Sequence, residues 1–194
     1  MTWTLDTDSA RAALDIASEY ADPALLHHSV RSYAFGARYA ADRGLVYDAE
    51  LLCVSALLHD LGLTPPFDSH TLPFEEAGGH VANVLTAGLG WTAARRARAA
   101  EVIVLHMRDD VTAAEDVESH LLQVGTSADV SGLRVAEFDP EFTARLLADH
   151  PRAGFGESFL ALVEDQARRK PACAAARYVA GGAAARIAAN PLDA

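Results

Sequence analysis

His59 and Asp60 stand side by side at the carboxyl end of the most apolar stretch of this chain, residues 51–58. Burying an imidazole and a carboxylate at such a place is costly unless a partner compensates them. A divalent metal would do so, because both groups are ligands of first-row metals. His28 lies among apolar neighbours on an earlier predicted helix, and Asp129 lies late in a later one. Helices that pack as a bundle could therefore bring these four side chains to one point.

The same residues also have a purely structural interpretation. A His-Asp pair occurs by chance in many sequences, and an aspartate near a helix end can act as a cap or a turn residue. A metal site is favoured because His28, the pair His59-Asp60 and Asp129 occur in this order on three different predicted helices. Arg31 follows His28 by about one turn and shares its helix face. It could steer an anionic or polar substrate, or it could pair with a carboxylate.

Helix-forming residues separated by Gly and Pro predict an all-α fold, a single domain of about eight helices that spans residues 1–194. Helical segments are predicted at 9–20, 23–43, 48–60, 75–89, 92–107, 114–129, 140–150, 156–170 and 171–189. The proline-rich segment 62–75, which contains His70, is predicted to be a long loop that could act as a lid. Asp109 and Asp110 are predicted to mark a turn. The last helix is rich in Ala and could pack within the chain or against a second copy. The sequence therefore allows a homo-oligomer but does not require one.

The charge balance limits the classes of molecule that this protein is expected to bind. Lys and Arg number 16 against 27 Asp and Glu, which gives a formal net charge of −11, and a field of that sign repels the phosphates of nucleic acids. No apolar run approaches the ~20 residues of a membrane span, and no leader segment is visible. Cys53 and Cys173 make no disulfide framework and fit free thiols in a reducing cytoplasm. We expect a cytoplasmic protein that acts on a small molecule and binds neither nucleic acid nor membrane.

Five stretches of the chain carry a family resemblance: HSVRSYAFG, LHDLGLT, FEEAGG, VIVLH and LLQVGTSADVSG. The order His…His-Asp…Asp on an all-α chain resembles the HD-domain superfamily of metal-dependent hydrolases. The five stretches are similar to those of its cyanamide hydratase branch. The resemblance covers about residues 25–135. It implies one HD-type domain with this core and with C-terminal helices at 139–189 packed on it.

The resemblance also implies a metal site. His28, His59, Asp60 and Asp129 match the four metal ligands of the superfamily. Zinc is the expected ion, although sites of this composition also accept iron, manganese and nickel. The resemblance further implies that His106 faces the pocket as a proton shuttle or substrate contact, and that Asp60 shares in proton transfer.

The remaining motif residues bear on the substrate. Glu75 matches the glutamate of FEEAGG and is a catalytic candidate, although a carboxylate in the first helical turn also interacts favourably with the helix dipole. Many phosphohydrolases of the superfamily carry a lysine soon after the His-Asp pair. Here the segment HDLGLT has none and ends in Thr64, as in the hydratase branch. The resemblance therefore favours a hydrolase or hydratase that adds metal-activated water to a small substrate, for example a nitrile such as cyanamide.

Three alternatives stay open. A phosphohydrolase acting on a nucleotide or another phosphomonoester would use the same ligands, with Arg31 as the cation nearest to them. A two-iron oxygenase would add His80 and His106 as further ligands, although His80 also fits a plain polar position near a helix start. The third alternative is a helical binding domain that has this fold but no catalytic activity.

Overall fold

Ten α-helices make up most of the part of the chain that this computed structural model describes, residues 3–108 and 111–193. They are α1 (Asp8–Tyr20), α2 (Pro23–Arg43), α3 (Ala49–Leu58), α4 (Phe74–Gly88), α5 (Ala93–Leu105), α6 (Val117–Ser131), α7 (Pro140–Asp149), α8 (Phe155–Arg169), α9 (Ala174–Ala180) and α10 (Ala183–Ala188). Short 3₁₀ helices occur at Leu61–Leu63, Val135–Glu137 and Pro191–Asp193. The described residues contain no strand, so the all-α prediction is confirmed. The predicted turn at Asp109 and Asp110 lies outside the described residues.

Local capping explains most of the helix bounds. Asp22 accepts a hydrogen bond from the backbone N–H of Leu25 at the start of α2, and Gly44 ends that helix with a left-handed φ of 64°. The predicted bounds of α2 are therefore confirmed. The predicted helix at 171–189 is wrong, because the chain breaks there into α9 and α10. The break falls at two adjacent glycines, and Gly182 adopts a φ of 87° that side-chain-bearing residues rarely adopt.

Helix α3 is the centre of the fold. It packs against α1, α2, α5 and α6, and every residue from 51 to 58 is buried. A helix that is apolar on all sides is stable only when neighbours surround it. His59 and Asp60 follow directly after this helix, so they lie deep inside the protein.

Helices α2 and α6 approach each other closely through two glycines. A Cβ atom on Gly125 would lie 2.0 Å from the carbonyl oxygen of Ser32, and a Cβ atom on Gly36 would lie 2.6 Å from that of Leu121. Real Cβ atoms do not come so near a carbonyl oxygen. The close approach positions His28 on α2 beside Asp129 on α6.

Gly125→Ala should therefore destabilise the protein. The added methyl group must push α6 away from α2, and overpacking of this kind costs about 1–3 kcal/mol. Thermal unfolding followed by circular dichroism measures the effect. Gly88→Ala is the matched control, because nothing lies within 4 Å of a Cβ atom built there. Equal unfolding temperatures for the two variants would contradict the close packing.

The C-terminal helices pack on the helices that hold the central residues. Helices α7 and α8 contact α2, and α10 contacts α6. A second group of buried apolar side chains, including Phe155 and Val163, joins α8–α10 to Leu25 and Phe74. Within the described residues, no helix is both long and apolar enough to cross a membrane.

Candidate metal centre

Three donor atoms converge where α3 ends against α2. The Nε2 atoms of His28 and His59 lie 3.2 Å apart, and Asp60 Oδ2 lies 3.4 Å from the first and 3.2 Å from the second. All three residues are 2% exposed or less. An ion with ligands at about 2.0–2.2 Å in tetrahedral geometry holds them about 3.3–3.6 Å apart. The three donors therefore have the spacing that one first-row metal ion requires.

Hydrogen bonds leave both imidazoles in the form that binds metals. His28 donates its Nδ1–H to Asp129 Oδ2 at 2.7 Å, and His59 donates its Nδ1–H to the carbonyl oxygen of Ala56 at 2.7 Å. Because the proton of each neutral ring is then on Nδ1, each Nε2 keeps its lone pair. Ligating histidines commonly donate their other ring N–H in this way.

Asp60 provides an independent indication of a cation. Neither of its carboxylate oxygens has a hydrogen-bond partner among the described residues, although both are buried. Burial alone would raise the pKa of Asp60, but the adjacent His59 and then His28 outweigh burial and hold that pKa at about 2. A buried, ionised and unpartnered carboxylate is expensive. A divalent ion at this point would satisfy it, so the residues present fit a metal.

Asp129, expected as a fourth ligand, is not brought into the group of three donors. Besides His28, its carboxylate accepts hydrogen bonds from Arg31, at 2.7 Å from Nε and 2.8 Å from Nη2, and from Arg152 Nη1 at 3.1 Å. Burial raises its pKa, but Arg31 outweighs burial and leaves the pKa of Asp129 well below its usual value. In this structure Asp129 contacts the His28 ring at Nδ1, and its role as a fourth metal ligand stays a prediction.

Arg31 pairs with a carboxylate, which is the second of the two roles considered for it in the sequence analysis. It is fully buried, pairs with Asp129, and also donates from Nη1 to the carbonyl oxygens of His150 and Pro151 at 3.1 and 3.0 Å. Its guanidinium group is thus hydrogen-bonded to protein atoms, and Arg31 does not line the cavity. The expectation that Arg31 steers a substrate is corrected accordingly.

Three residues of the chain beyond α7, Arg152, Asn190 and Asp193, extend this network towards the surface, where Asp193 is exposed. The sequence analysis missed all three. Arg152 pairs with Asp193, with Nη2 at 2.8 Å from Oδ2, and Asn190 donates to the backbone carbonyl of Asp129 at 2.8 Å. They stand 23 to 64 residues after Asp129, outside any helical repeat. No local pattern could have identified them, because their partners are close only in space.

His106 borders the donor group, as expected. It is the C-cap of α5, its ring packs edge-on against that of His59 with centroids 4.9 Å apart, and its Nδ1–H donates to the carbonyl oxygen of Ile103. Burial, followed by the nearby His59, lowers the pKa of His106 to about 3. The ring is therefore neutral near pH 7, and its Nε2 can accept a hydrogen bond.

The metal-free chain should lose stability as the pH falls from about 6.5 towards 3. His106 takes up a proton near pH 6.5 in the unfolded chain but only near pH 3 in the folded one. The unfolded state therefore binds more protons in this window, and acid favours unfolding. Urea unfolding of chelator-treated protein at several pH values measures the slope. His106→Gln should make it shallower, while His70→Gln, at an exposed loop position, should leave it unchanged; an unaltered slope in His106→Gln would refute this assignment.

Glu75 and His80 do not join the donor group. Glu75 is 5% exposed, its Oε2 has no hydrogen-bond partner among the described residues, and burial raises its pKa. It does not line the cavity described below. His80 is exposed on α4 and does not line the cavity either, so it cannot act with His106 as the pair of extra ligands that a second metal would need.

A cavity of about 1330 Å³ opens beside the donor group. Its buried end is formed by His28, His59, Asp60, His106 and Phe159. Its exposed end is built from α6, α9, α10 and residues 107–108 and 111–113. The proline-rich segment, expected as a lid, does not line it. Asp68 instead ties that segment to α8, since it accepts from Gln166 at 2.8 Å and from Lys170 at 3.2 Å.

Comparison with known proteins gives one match. A family model described as HD domain matches residues 25–141, which is more than half of the chain. The matched segment contains all three donors together with His106 and Asp129. A search of the curated proteins found no match to the chain.

Proposed function

The chain belongs to the HD domain family, and on this basis we propose that it is a metal-dependent hydrolase that adds water to a small molecule. One observation carries the proposal. Three buried donors with the spacing of metal ligands, one of them an unpartnered carboxylate, lie at the closed end of a cavity large enough for a substrate. We expect zinc there first, with iron, manganese and nickel as the other candidates.

The chain's own residues account for the rest of the chemistry. An ion held by His28, His59 and Asp60 would supply Lewis acidity and would lower the pKa of a water ligand to about 7. His106 presents a neutral Nε2 beside this point and would accept a hydrogen bond from the attacking water, which orients that water. Asp129 keeps the His28 ring in place, and Phe155, stacked on that ring at 4.3 Å between centroids, excludes water from its other face.

The surroundings of the donor group favour a neutral reacting centre. Residues 61–63, directly after Asp60, are Leu, Gly and Leu, and they form a buried 3₁₀ helix. The two arginines that pair with Asp129, Arg31 and Arg152, are bound to Asp129 and Asp193. Transfer of a phosphoryl group needs cations aimed at the charge that develops, and these two guanidinium groups are not free to supply that charge. We therefore propose an electrophilic carbon, such as that of a small nitrile, as the group attacked.

The second candidate function is phosphomonoester hydrolysis. One observation favours it: four arginines, Arg108, Arg134, Arg177 and Arg186, line the cavity. All four are exposed, whereas the donors are buried, so they lie towards the cavity's open end rather than beside the reacting centre.

A direct assay separates the two functions. Zinc-loaded protein is incubated with cyanamide, and the urea formed is measured; p-nitrophenyl phosphate is the parallel substrate. The proposal predicts hydration of the nitrile and no phosphatase activity. Phosphatase activity without nitrile hydration would replace the proposal by the second candidate.

His106→Gln should lower kcat by about 100-fold, since loss of the hydrogen bond that orients the attacking water misplaces a reactant, and misplacement by about 1 Å can cost this much. The metal content should stay unchanged, because His106 is not among the three donors. Steady-state kinetics with elemental analysis of the same sample checks both points. His70→Gln serves as the control. A variant that loses its metal together with its activity would show that His106 is a ligand and not a group that orients water.

A further inference from the structure

Two buried arginines and two carboxylates form one charge-balanced group next to His28. Arg31 pairs with Asp129. Arg152 pairs with both carboxylates, since its Nη1 lies 3.1 Å from Asp129 Oδ1 and its Nη2 lies 2.8 Å from Asp193 Oδ2. Arg31 is 0% exposed and Arg152 is 6% exposed. Because Asp129 can balance only one of these two buried positive charges, the second is balanced by Asp193.

Arg152 acts on the His28 ring through two sets of contacts. Its Nη1 donates to the backbone carbonyl oxygen and to Oδ1 of Asp129, and Oδ2 of the same carboxylate accepts the Nδ1–H of His28 at 2.7 Å. The guanidinium carbon of Arg152 also lies 5.4 Å from the centroid of the Phe155 ring, which is stacked on the His28 ring at 4.3 Å. A shift of Arg152 therefore changes the surroundings of His28 both at its Nδ1 edge and on its face.

Residues 190–193 are fixed to the end of α6, where Asp129 lies. Asn190 donates from Nδ2 to the backbone carbonyl of Asp129 at 2.8 Å. Pro191 packs so closely on Gly132 that a Cβ atom built on this glycine would lie 2.3 Å from Pro191 Cδ. Residues 190–193 follow the segment that the HD domain family model matches, so their contact with α6 is a feature of this chain rather than of the matched segment alone.

We propose that Asp193 is a positioning residue of the metal centre, which acts through Arg152 and Asp129 to hold the His28 ring and thereby raises the affinity for a divalent ion. The inference rests on the proposed metal-dependent function. Without the charge of Asp193, Arg152 becomes a second full cation against Asp129, whose hydrogen bond to the Nδ1–H of His28 weakens. A carboxylate that accepts this hydrogen bond orients a ligating histidine and raises its basicity.

The expected effect has the same sign for both roles that Asp129 can have. If Asp129 orients His28, loss of the Asp193 charge loosens the ring. If Asp129 joins the ion as a fourth ligand, the same loss reduces the negative charge that it offers to the ion. In both cases Arg152 keeps an unbalanced positive charge, which repels a cation close by. The affinity for a divalent ion should therefore fall when Asp193 is neutralised.

Asp193→Asn in the full chain tests this inference. Zinc affinity is measured by competition with a chromophoric chelator, and we expect it to fall about tenfold, the lower end of the loss that follows removal of an outer partner of a metal ligand. Asp193 is exposed, so the variant should fold, and its circular dichroism spectrum should match that of the natural chain.

Asp165→Asn is the matched control. The Asp165 side chain is 41% exposed and pairs with Arg168 and Arg169 on α8, and the Asp193 side chain is 43% exposed. The two variants thus remove the same charge from similarly exposed ion pairs. Asp165→Asn should bind zinc as the natural chain does. Equal zinc affinities of the two variants would overturn the inference.

A spectroscopic readout reports on His28 without metal. In the metal-free natural chain, burial and the bond to Asp129 should protect the Nδ1–H of His28 from exchange with water, so that it gives a proton NMR signal that is lost in His28→Gln. Asp193→Asn should shift this signal and speed its exchange, whereas Asp165→Asn should leave it in place.

The two measurements distinguish failure of the inference from failure of the proposed function. A natural chain that binds no zinc, together with a shifted His28 signal in Asp193→Asn, would remove the metal-dependent function and leave the positioning of His28 by Asp193 standing. Zinc binding by the natural chain, together with an unshifted signal in Asp193→Asn, would refute the positioning and keep the function.

Discussion

Replacing Asp60 with Asn should abolish metal binding and the hydrolase activity that depends on it. The substitution keeps the shape of the side chain but removes the buried charge that the ion would balance. Activity should fall by several orders of magnitude, because the pKa of free water is about 15.7 rather than the value of about 7 reached on a metal. Elemental analysis and steady-state kinetics measure the two losses. His59→Ala should give the same result.

A second readout separates this effect from simple unfolding. Circular dichroism is this readout, because metal-free Asp60→Asn keeps the shape of the side chain and should keep the helical content of the metal-free natural chain. Asp165→Asn, at a partly exposed position of α8 that does not line the cavity, is the control and should keep its metal. Full metal occupancy in Asp60→Asn would show that the donor group is assigned wrongly.

Arg31→Met should produce the largest loss of stability. The guanidinium group is fully buried and makes two hydrogen bonds to the Asp129 carboxylate. Methionine leaves Asp129 with part of its charge unpaired, and breaking a buried ion pair costs about 3–5 kcal/mol. For a chain of this length, that corresponds to a fall in Tm of roughly 6–20 °C. Calorimetry or thermal circular dichroism measures it.

Arg145→Met provides the comparison for this prediction. Arg145 forms an exposed pair with Glu141 one turn away on α7, at 3.3 Å, and such pairs contribute about 0.3–0.5 kcal/mol. Its Tm should change by little more than the experimental error. A fall for Arg31→Met no larger than that for Arg145→Met would mean that the buried network does not support α6.

The sequence was most informative where the signal was local. Asp22, Pro23 and Gly44 define the ends of α2 because capping depends on neighbouring residues alone. His59 and Asp60 were found because they directly follow an apolar helix. His80 could have been assigned to the exposed face of α4, since the buried positions of that helix follow a helical period that leaves it out.

Contacts between residues far apart in the chain could not be predicted from the sequence in the same way. Asp129 lies beside His28, but its surroundings also depend on Arg31 and on Arg152, which comes from the irregular segment after Pro151. A carboxylate that orients a ligand and one that binds the ion look alike in sequence, so the role of Asp129 stays a prediction.

We expect His28, His59 and Asp60 to hold one divalent ion per chain. The most direct test of this expectation is the metal content of freshly purified protein by elemental mass spectrometry. We expect about one first-row metal ion per chain, with zinc the foremost candidate. Two irons per chain, or no bound metal even after incubation with zinc, iron, manganese and nickel, would contradict the account.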